Sequence, residues 1–173
     1  MKEMLQNLEL NSRAFVIYKF LNSLFLGVSI GSVFTIYEPL DPSVFSGGGI
    51  VLALAMIVIA KFYHKILNAY YFFRISILVE LVVLVMIIAF LLLSFNTTLA
   101  LCVYIGYQLT FIFGSYLVRA ETLVLKEGSL LTKVDMSKQL GYLIGMLVSY
   151  LFYKVIENKF LITETFDQVY YIH

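Results

Sequence analysis

The sequence is poor in cysteine, proline and charge. Its one cysteine, Cys102, excludes an intrachain disulfide and leaves no cysteine-based metal site. Both prolines, Pro39 and Pro42, fall in one short stretch that is predicted to be a turn, because proline fixes φ and lacks a backbone donor. Charged residues make up 13% of the chain, against roughly 25% in an average soluble domain. Too little charge is present to cover a water-exposed surface, so the predicted main solvent is lipid.

Hydrophobic residues make up 61% of the chain and gather into five apolar segments. These run over about 14–37, 44–60, 75–95, 99–118 and 139–156. Each is about long enough, as a helix, to cross a hydrocarbon core roughly 30 Å thick. Their apolar character on all sides disfavours a transmembrane β-barrel, whose strands alternate with period two. The sequence predicts an all-α, polytopic transmembrane helical bundle, and the first segment is predicted to be retained and not cleaved as a signal peptide.

The distribution of basic residues predicts the orientation of the bundle. When the links between segments are assigned alternately to the two sides, only Lys154 and Lys159 fall on one of them. The other side receives Lys2, Arg13, Lys19, Lys61, Lys65, Arg74, Arg119, Lys126, Lys133 and Lys138. The positive-inside rule therefore predicts a cytoplasmic N-terminus and cytoplasmic second and fourth links. A multi-pass protein of a bacterial cytoplasmic (inner) membrane is expected.

Three regions flank or interrupt the predicted bundle of residues 13–157. Residues 1–12 form an amphipathic N-terminal segment, with a short surface helix over residues 2–11 or a frayed tail, and Asn11 or Ser12 is expected to cap the first span. The cytoplasmic link 119–138 mixes apolar and charged residues and is compatible with a surface helix broken at Gly128. Residues 158–173 are either an external tail or the start of a sixth helix.

Small residues recur at helical spacing in three of the five spans. The last span carries Gly141, Gly145 and Ser149, following Ser137 at the same interval. The first span has Gly27 and Gly31, and the fourth has Gly106, Thr110 and Gly114. Side chains four residues apart lie on one helix face, and small ones let a neighbouring helix approach closely. These positions predict helix packing, either in a rigid bundle or between helices that slide.

Lys19 and Glu80 are charged residues within apolar segments. Each lies five positions from the predicted cytoplasmic end of its span, or about 7.5 Å deep at 1.5 Å per residue. A carboxylate at that depth is expected to pair with a base, reach water or take up a proton. Two alternatives remain open: a buried ion pair or proton-coupling site, or a lysine that extends to the inner surface while Glu80 reaches water alone.

Asn22, Tyr104 and Gln108 are the predicted cavity-lining residues. Tyr104 and Gln108 lie one helical turn apart on one face of the fourth span. Amides in lipid either bind a polar substrate or bond to a neighbouring helix, and both alternatives stand. The sequence has no serine–histidine–acid set, no metal-spaced set and no glycine-rich phosphate loop, so we expect neither an enzyme nor a cofactor.

The arrangement of links and motifs resembles a degenerate form of the N-terminal half of a major facilitator superfamily transporter. Such halves contain six helices, and the family typically has Gly-x-x-x-Asp-Arg-x-Gly after the second. Here Lys65 matches the basic position, whereas His64 replaces the acid and Ala60 and Leu67 replace the glycines. The resemblance implies that the first and fourth spans line the cavity.

Two functions are therefore predicted. The first is all or part of a secondary carrier that moves a small solute by alternating access, and it would need a second half or another copy of the chain. The second is a non-transporting scaffold or assembly component that acts through the cytoplasmic link 119–138. The expected partners are the lipid bilayer and an unknown small solute, with no nucleic acid.

Overall fold

The computed structural model describes residues 11–125 and 127–160, whose regular secondary structure is helical with no strand. Its helices are α1 (Ser12–Ile36), α2 (Pro42–Lys61), the single turn α3 (Tyr63–Ile66), α4 (Ala69–Leu92), α5 (Thr97–Ile112), α6 (Gly114–Val124) and α7 (Gly128–Phe160). The predicted surface helix of residues 2–11, Lys126 and the segment beyond residue 160 lie outside the described residues, apart from Asn11 at the start of α1.

Five helices of the described chain are long and apolar enough to cross a membrane. Four of these spans are α1, α2, α4 and α7, and the fifth, Thr97–Val124, consists of α5 and α6 in succession. Their outward surfaces are apolar: α2 has no buried residue, and Ile50, Leu54 and Ile57 are 64%, 60% and 66% exposed. Such surfaces are stable in lipid and not in water. The prediction of an all-α bundle with five spans is confirmed, and the chain is a multi-pass membrane protein.

Asparagine side chains cap the N-termini of three of the helices. The Asn11 side-chain oxygen accepts a hydrogen bond from the Ala14 backbone nitrogen at 3.1 Å and caps α1, as the sequence predicted. Asn68 accepts from the Tyr71 nitrogen at 3.1 Å at the start of α4, and Asn96 accepts from the Leu99 nitrogen at 2.8 Å at the start of α5. These bonds satisfy backbone donors that have no partner within the helix. Asn96 thus serves as a helix cap.

The helices on either side of the link 119–138 extend beyond the apolar segments. The link 119–138 is itself mostly helical, since α6 continues to Val124 and α7 already begins at Gly128. Leucine, lysine and glutamate in this link are good helix formers, so a charged stretch continues the helix beyond the apolar limit. At 33 residues, α7 is about 50 Å long, well beyond the roughly 30 Å needed to cross the hydrocarbon core.

The chain divides into two compact units. One unit contains residues 1–38 and 127–173, whose described part consists of α1, α7 and their flanking residues. The other contains residues 39–126 and includes α2 to α6. In that second unit α4 packs against α5 and α6, and α2 packs against α5. The short link from Leu93 to Asn96 joins α4 to α5, which makes these two helices antiparallel neighbours.

Candidate functional site

Helices α1 and α7 pack against each other along most of the length of α1. The contacts advance in the same direction on both helices, pairing Val16 with Ser137, Phe20 with Gly141, Leu24 with Gly145, and Gly31 with Ser149. The two helices are therefore parallel. A first and a fifth span must have this relation if the chain crosses the membrane alternately.

Glycines bring the two backbones of this pair into contact. A Cβ on Gly145 would overlap the Leu24 carbonyl oxygen and would lie 3.0 Å from the Gly27 Cα. A Cβ on Gly141 would overlap the Phe20 carbonyl oxygen, and one on Gly27 would overlap that of Tyr142. The neighbours are backbone atoms, which cannot rotate away. Four glycines and one serine form this contact, and we refer to them as the small-residue face: Gly27, Gly31, Gly141, Gly145 and Ser149.

Serine hydroxyls supply the polar contacts of the same pair. Ser137 Oγ donates to the Val16 carbonyl oxygen at 3.2 Å, near the N-terminal end of α1. Further along, the hydroxyls of Ser32 and Ser149 lie 3.5 Å apart, and Ser149 is only 3% exposed. Such bonds add modestly to packing in lipid. Asn22, one of the predicted cavity residues, is half-buried on α1 of this unit.

Tyr104 is buried where α5 meets α2. Its phenol donates to the Phe45 carbonyl oxygen at 3.4 Å, and its ring lies edge-on to the Phe45 ring with centroids 5.5 Å apart. Gly48 makes this possible, because a Cβ there would overlap the Tyr104 hydroxyl. Tyr104 is 6% exposed. Its hydroxyl therefore contributes to packing of α5 on α2, and its predicted role in a cavity stays a prediction.

Gln108 lies one turn further along α5 and is half-buried. Its Oε1 atom is buried and has no hydrogen-bond partner among the described residues. At 1.5 Å per residue, Gln108 is about 17 Å along the helix from Thr97, which is about half the thickness of a hydrocarbon core. An amide oxygen in that environment costs free energy unless it is solvated or bonded.

Lys19 and Glu80 lie in different units, on α1 and α4. The Lys19 ammonium lies over two rings of its own helix, 5.4 Å from the Phe15 centroid and 5.5 Å from that of Tyr18. Glu80 is half-buried on α4. A Lys19–Glu80 ion pair and a proton-coupling role for Glu80 both stay predictions.

A cluster of tyrosines between α3 and α6 of the second unit was not predicted. Tyr116 is fully buried, and its phenol donates to the Ile66 carbonyl oxygen of α3 at 2.8 Å. The Tyr63 hydroxyl lies 3.2 Å from Ser115 Oγ, and the Arg119 guanidinium lies 5.9 Å from the Tyr63 ring centroid. Together these contacts pack the turn α3 on α6. The only hint in the sequence was that Tyr63 lies just after the second predicted span and Tyr116 lies close to the end of the fourth.

An open groove of about 440 Å³ runs between α4 and α5. It is lined by Leu78, Leu81, Val82, Val85, Met86, Cys102, Ile105, Gly106 and Leu109. Met86 fills the space beside Gly106, where a Cβ would overlap the methionine sulfur. Gly106 thus makes room for a side chain and does not bring two backbones together.

Gly114 differs from the other glycines predicted to pack. It is the first residue of α6, and a Cβ there would meet no described atom within 4 Å. The described residues therefore lend no support to a packing role for Gly114.

Across residues 11–125 and 127–160, no three histidine, cysteine, aspartate or glutamate side chains come together as a metal site would require.

Comparison of the chain with protein-family models, with curated proteins and with solved structures finds no significant match.

Proposed function

We propose that this protein is all or part of a secondary carrier for a small polar solute. The observation that carries the proposal is that the buried Oε1 atom of Gln108 has no hydrogen-bond partner among the described residues. We infer that Gln108 lies near the bilayer midplane, because its distance from Thr97 is about half the thickness of a hydrocarbon core. Leaving a buried amide unsatisfied costs on the order of 1–3 kcal/mol. A protein retains such a group where it serves binding, and carriers bind their substrates near the midplane.

In this proposal Gln108 and Asn22 are the substrate-binding residues, and Glu80 with Lys19 is the coupling or positioning pair. The carrier would resemble the N-terminal half of a major facilitator superfamily transporter and would act with a second half or a second copy. We place it in a bacterial cytoplasmic membrane with its N-terminus inside. The one-sided distribution of the basic residues supports this orientation.

Water accessibility of position 108 tests the proposal. In a Cys102→Ser background, Gln108→Cys is reconstituted in vesicles and treated on each side with a membrane-impermeant methanethiosulfonate. The cysteine thiolate attacks the reagent's sulfenyl sulfur, which forms a mixed disulfide and releases methanesulfinate. Because the thiolate forms only where water reaches the thiol, a cysteine in contact with lipid does not react. We expect Gln108→Cys to react from at least one side. The control Leu84→Cys, at a position that is 50% exposed on α4, should stay unmodified.

A second measurement separates binding from structure. Gln108→Leu removes the unsatisfied oxygen, so the variant should unfold at a higher denaturant concentration than the wild type. It should also lose uptake of the solute into vesicles. An unreactive Gln108→Cys on both sides, together with no stabilisation in Gln108→Leu, would contradict the carrier. Reactivity that a particular solute slows would identify a candidate substrate.

The scaffold remains a second candidate because α7 continues about three turns before its predicted span. This extension contains the Lys138–Asp135 ion pair at 3.0 Å, and Met136 on it is 69% exposed. An exposed apolar side chain on a charged helix is typical of a protein-binding surface. If Met136→Glu abolishes function while Gln108→Leu does not, the scaffold is favoured over the carrier.

A further inference from the structure

The open groove between α4 and α5 ends close to a basic side chain. Arg74 lies one helical turn before Leu78 on α4, so it shares a face with the inner end of the groove. It is exposed, and its guanidinium lies 4.3 Å from the centroid of the Tyr70 ring. Arg74 forms no ion pair with any residue that the structure describes. A cation therefore lies beside the inner end of an apolar channel.

The length and depth of the groove match one leaflet of a bilayer. From Leu78 to Met86 the groove follows eight residues of α4, which is about 12 Å at 1.5 Å per residue. Half of a hydrocarbon core is about 15 Å thick. With the orientation that the positive-inside rule predicts, Leu78 lies at the cytoplasmic end of the groove and Met86 lies near the midplane. Arg74 then lies at the level of the inner headgroups.

We propose that this groove binds one anionic phospholipid of the inner leaflet. An acyl chain occupies the apolar channel between α4 and α5, and the phosphate pairs with the Arg74 guanidinium. Guanidinium groups bind phosphate in a bidentate manner. The Tyr70 ring holds the guanidinium on the side of Arg74 away from the apolar lining, where a headgroup would lie. The site contains both parts that a phospholipid needs: an apolar groove one leaflet long and a cation at its headgroup end. The proposal does not depend on whether the protein transports a solute.

Native mass spectrometry of the full chain in detergent tests the proposal. The protein is titrated with phosphatidylglycerol and, separately, with phosphatidylcholine that carries the same acyl chains, and the fraction retaining one lipid is measured. We expect the wild type to prefer phosphatidylglycerol by about fivefold, the effect of one basic residue near an anionic surface. Arg74→Gln should remove this preference, and Arg74→Lys should keep most of it.

Matched variants separate the site from general effects of charge and hydrophobicity. Lys61→Gln removes one positive charge from the same end of the unit and should leave the preference unchanged. Cys102→Trp and Leu109→Trp fill opposite ends of the groove and should reduce retention of both lipids. Leu84→Trp adds the same bulk on α4 away from the groove and should have no effect. Helical circular dichroism and cooperative unfolding show that each variant folds.

Three outcomes would overturn the proposal. Equal retention of the two lipids by the wild type would remove the role of the anionic headgroup. An equal loss of preference in Lys61→Gln and Arg74→Gln would show diffuse attraction in place of a site. A dimer that Cys102→Trp or Leu109→Trp dissociates would show that a second copy of the chain occupies the groove.

Discussion

The two units of this protein use glycine in opposite ways. Between α1 and α7, glycines remove bulk so that one backbone touches the other, as Gly145 does against Leu24 and Gly27. In the second unit, glycines leave space that a large side chain from the neighbouring helix fills. Tyr104 lies against Gly48 in this way, and Met86 lies against Gly106.

The difference has an energetic consequence. A backbone atom cannot move without moving its helix, whereas a methionine side chain can adopt another rotamer. The α1–α7 contact is therefore expected to tolerate almost no added volume, and the contacts within the second unit are expected to tolerate some. Lipid is as apolar as the side chains, so close packing supplies much of the attraction between helices in a membrane.

The largest expected effect is at Gly145. Gly145→Ala places a Cβ against the Leu24 carbonyl oxygen and 2.8 Å from the Val28 nitrogen, so α1 and α7 must separate. We expect a loss of about 3 kcal/mol in the free energy of unfolding, at the upper end of overpacking effects. Reversible unfolding in mixed micelles, followed by circular dichroism, measures it.

The control for this variant is Gly49→Ala on α2, where a Cβ would meet nothing within 4 Å. Alanine is the better helix former, so this change should stabilise the protein by about 0.5–1 kcal/mol. If Gly145→Ala and Gly49→Ala have the same effect, the backbone contact between α1 and α7 does not exist.

A smaller effect is expected at Gly106, because its neighbour can move. Gly106→Ala should cost about 1–2 kcal/mol as the added methyl displaces the Met86 side chain. In the Met86→Ala background the same change should cost much less, since the overlapping sulfur is gone. A double-mutant cycle should therefore yield a coupling energy of about 1 kcal/mol. Additive effects would mean that Met86 does not occupy the space beside Gly106.

The sequence predicted the spans well because they depend on composition. Long apolar runs must be helical in lipid to satisfy their backbone hydrogen bonds, and asparagine before such a run is a good cap. Both rules are local, and the cap that Asn11 forms at the start of α1 follows the second of them. The apolar spans alone do not give the ends of the helices: α7 begins at Gly128, well before the apolar span 139–156, because charged helix formers continue a helix beyond its apolar part.

The role of each glycine could not be predicted, because it depends on the neighbouring helix. Gly47, Gly48 and Gly49 are adjacent in sequence, yet only Gly48 lies beside Tyr104. Gly106 and Gly114 are two turns apart, yet only Gly106 has a close neighbour among the described residues. Spacing shows that small residues share a face, but it does not show what that face contacts. The packing of Tyr116 on Ile66 depended on the same missing information.

The smallest expected effect concerns Tyr116, where the contact is a single hydrogen bond in an otherwise packed site. Tyr116→Phe keeps the buried ring and removes the donor to the Ile66 carbonyl oxygen, which still accepts from the Asn68 nitrogen at 2.8 Å. Because that oxygen keeps one partner, the loss in the free energy of unfolding should be only about 1 kcal/mol, the net contribution of an ordinary hydrogen bond.

Tyr150→Phe on α7, where the ring is 58% exposed, is the control and should be neutral. Faster amide exchange confined to α3 and the start of α4 would locate the effect at the turn that Tyr116 holds. A loss as large as that of Gly145→Ala would instead show that this single hydrogen bond stabilises the second unit as much as the backbone contact stabilises the first.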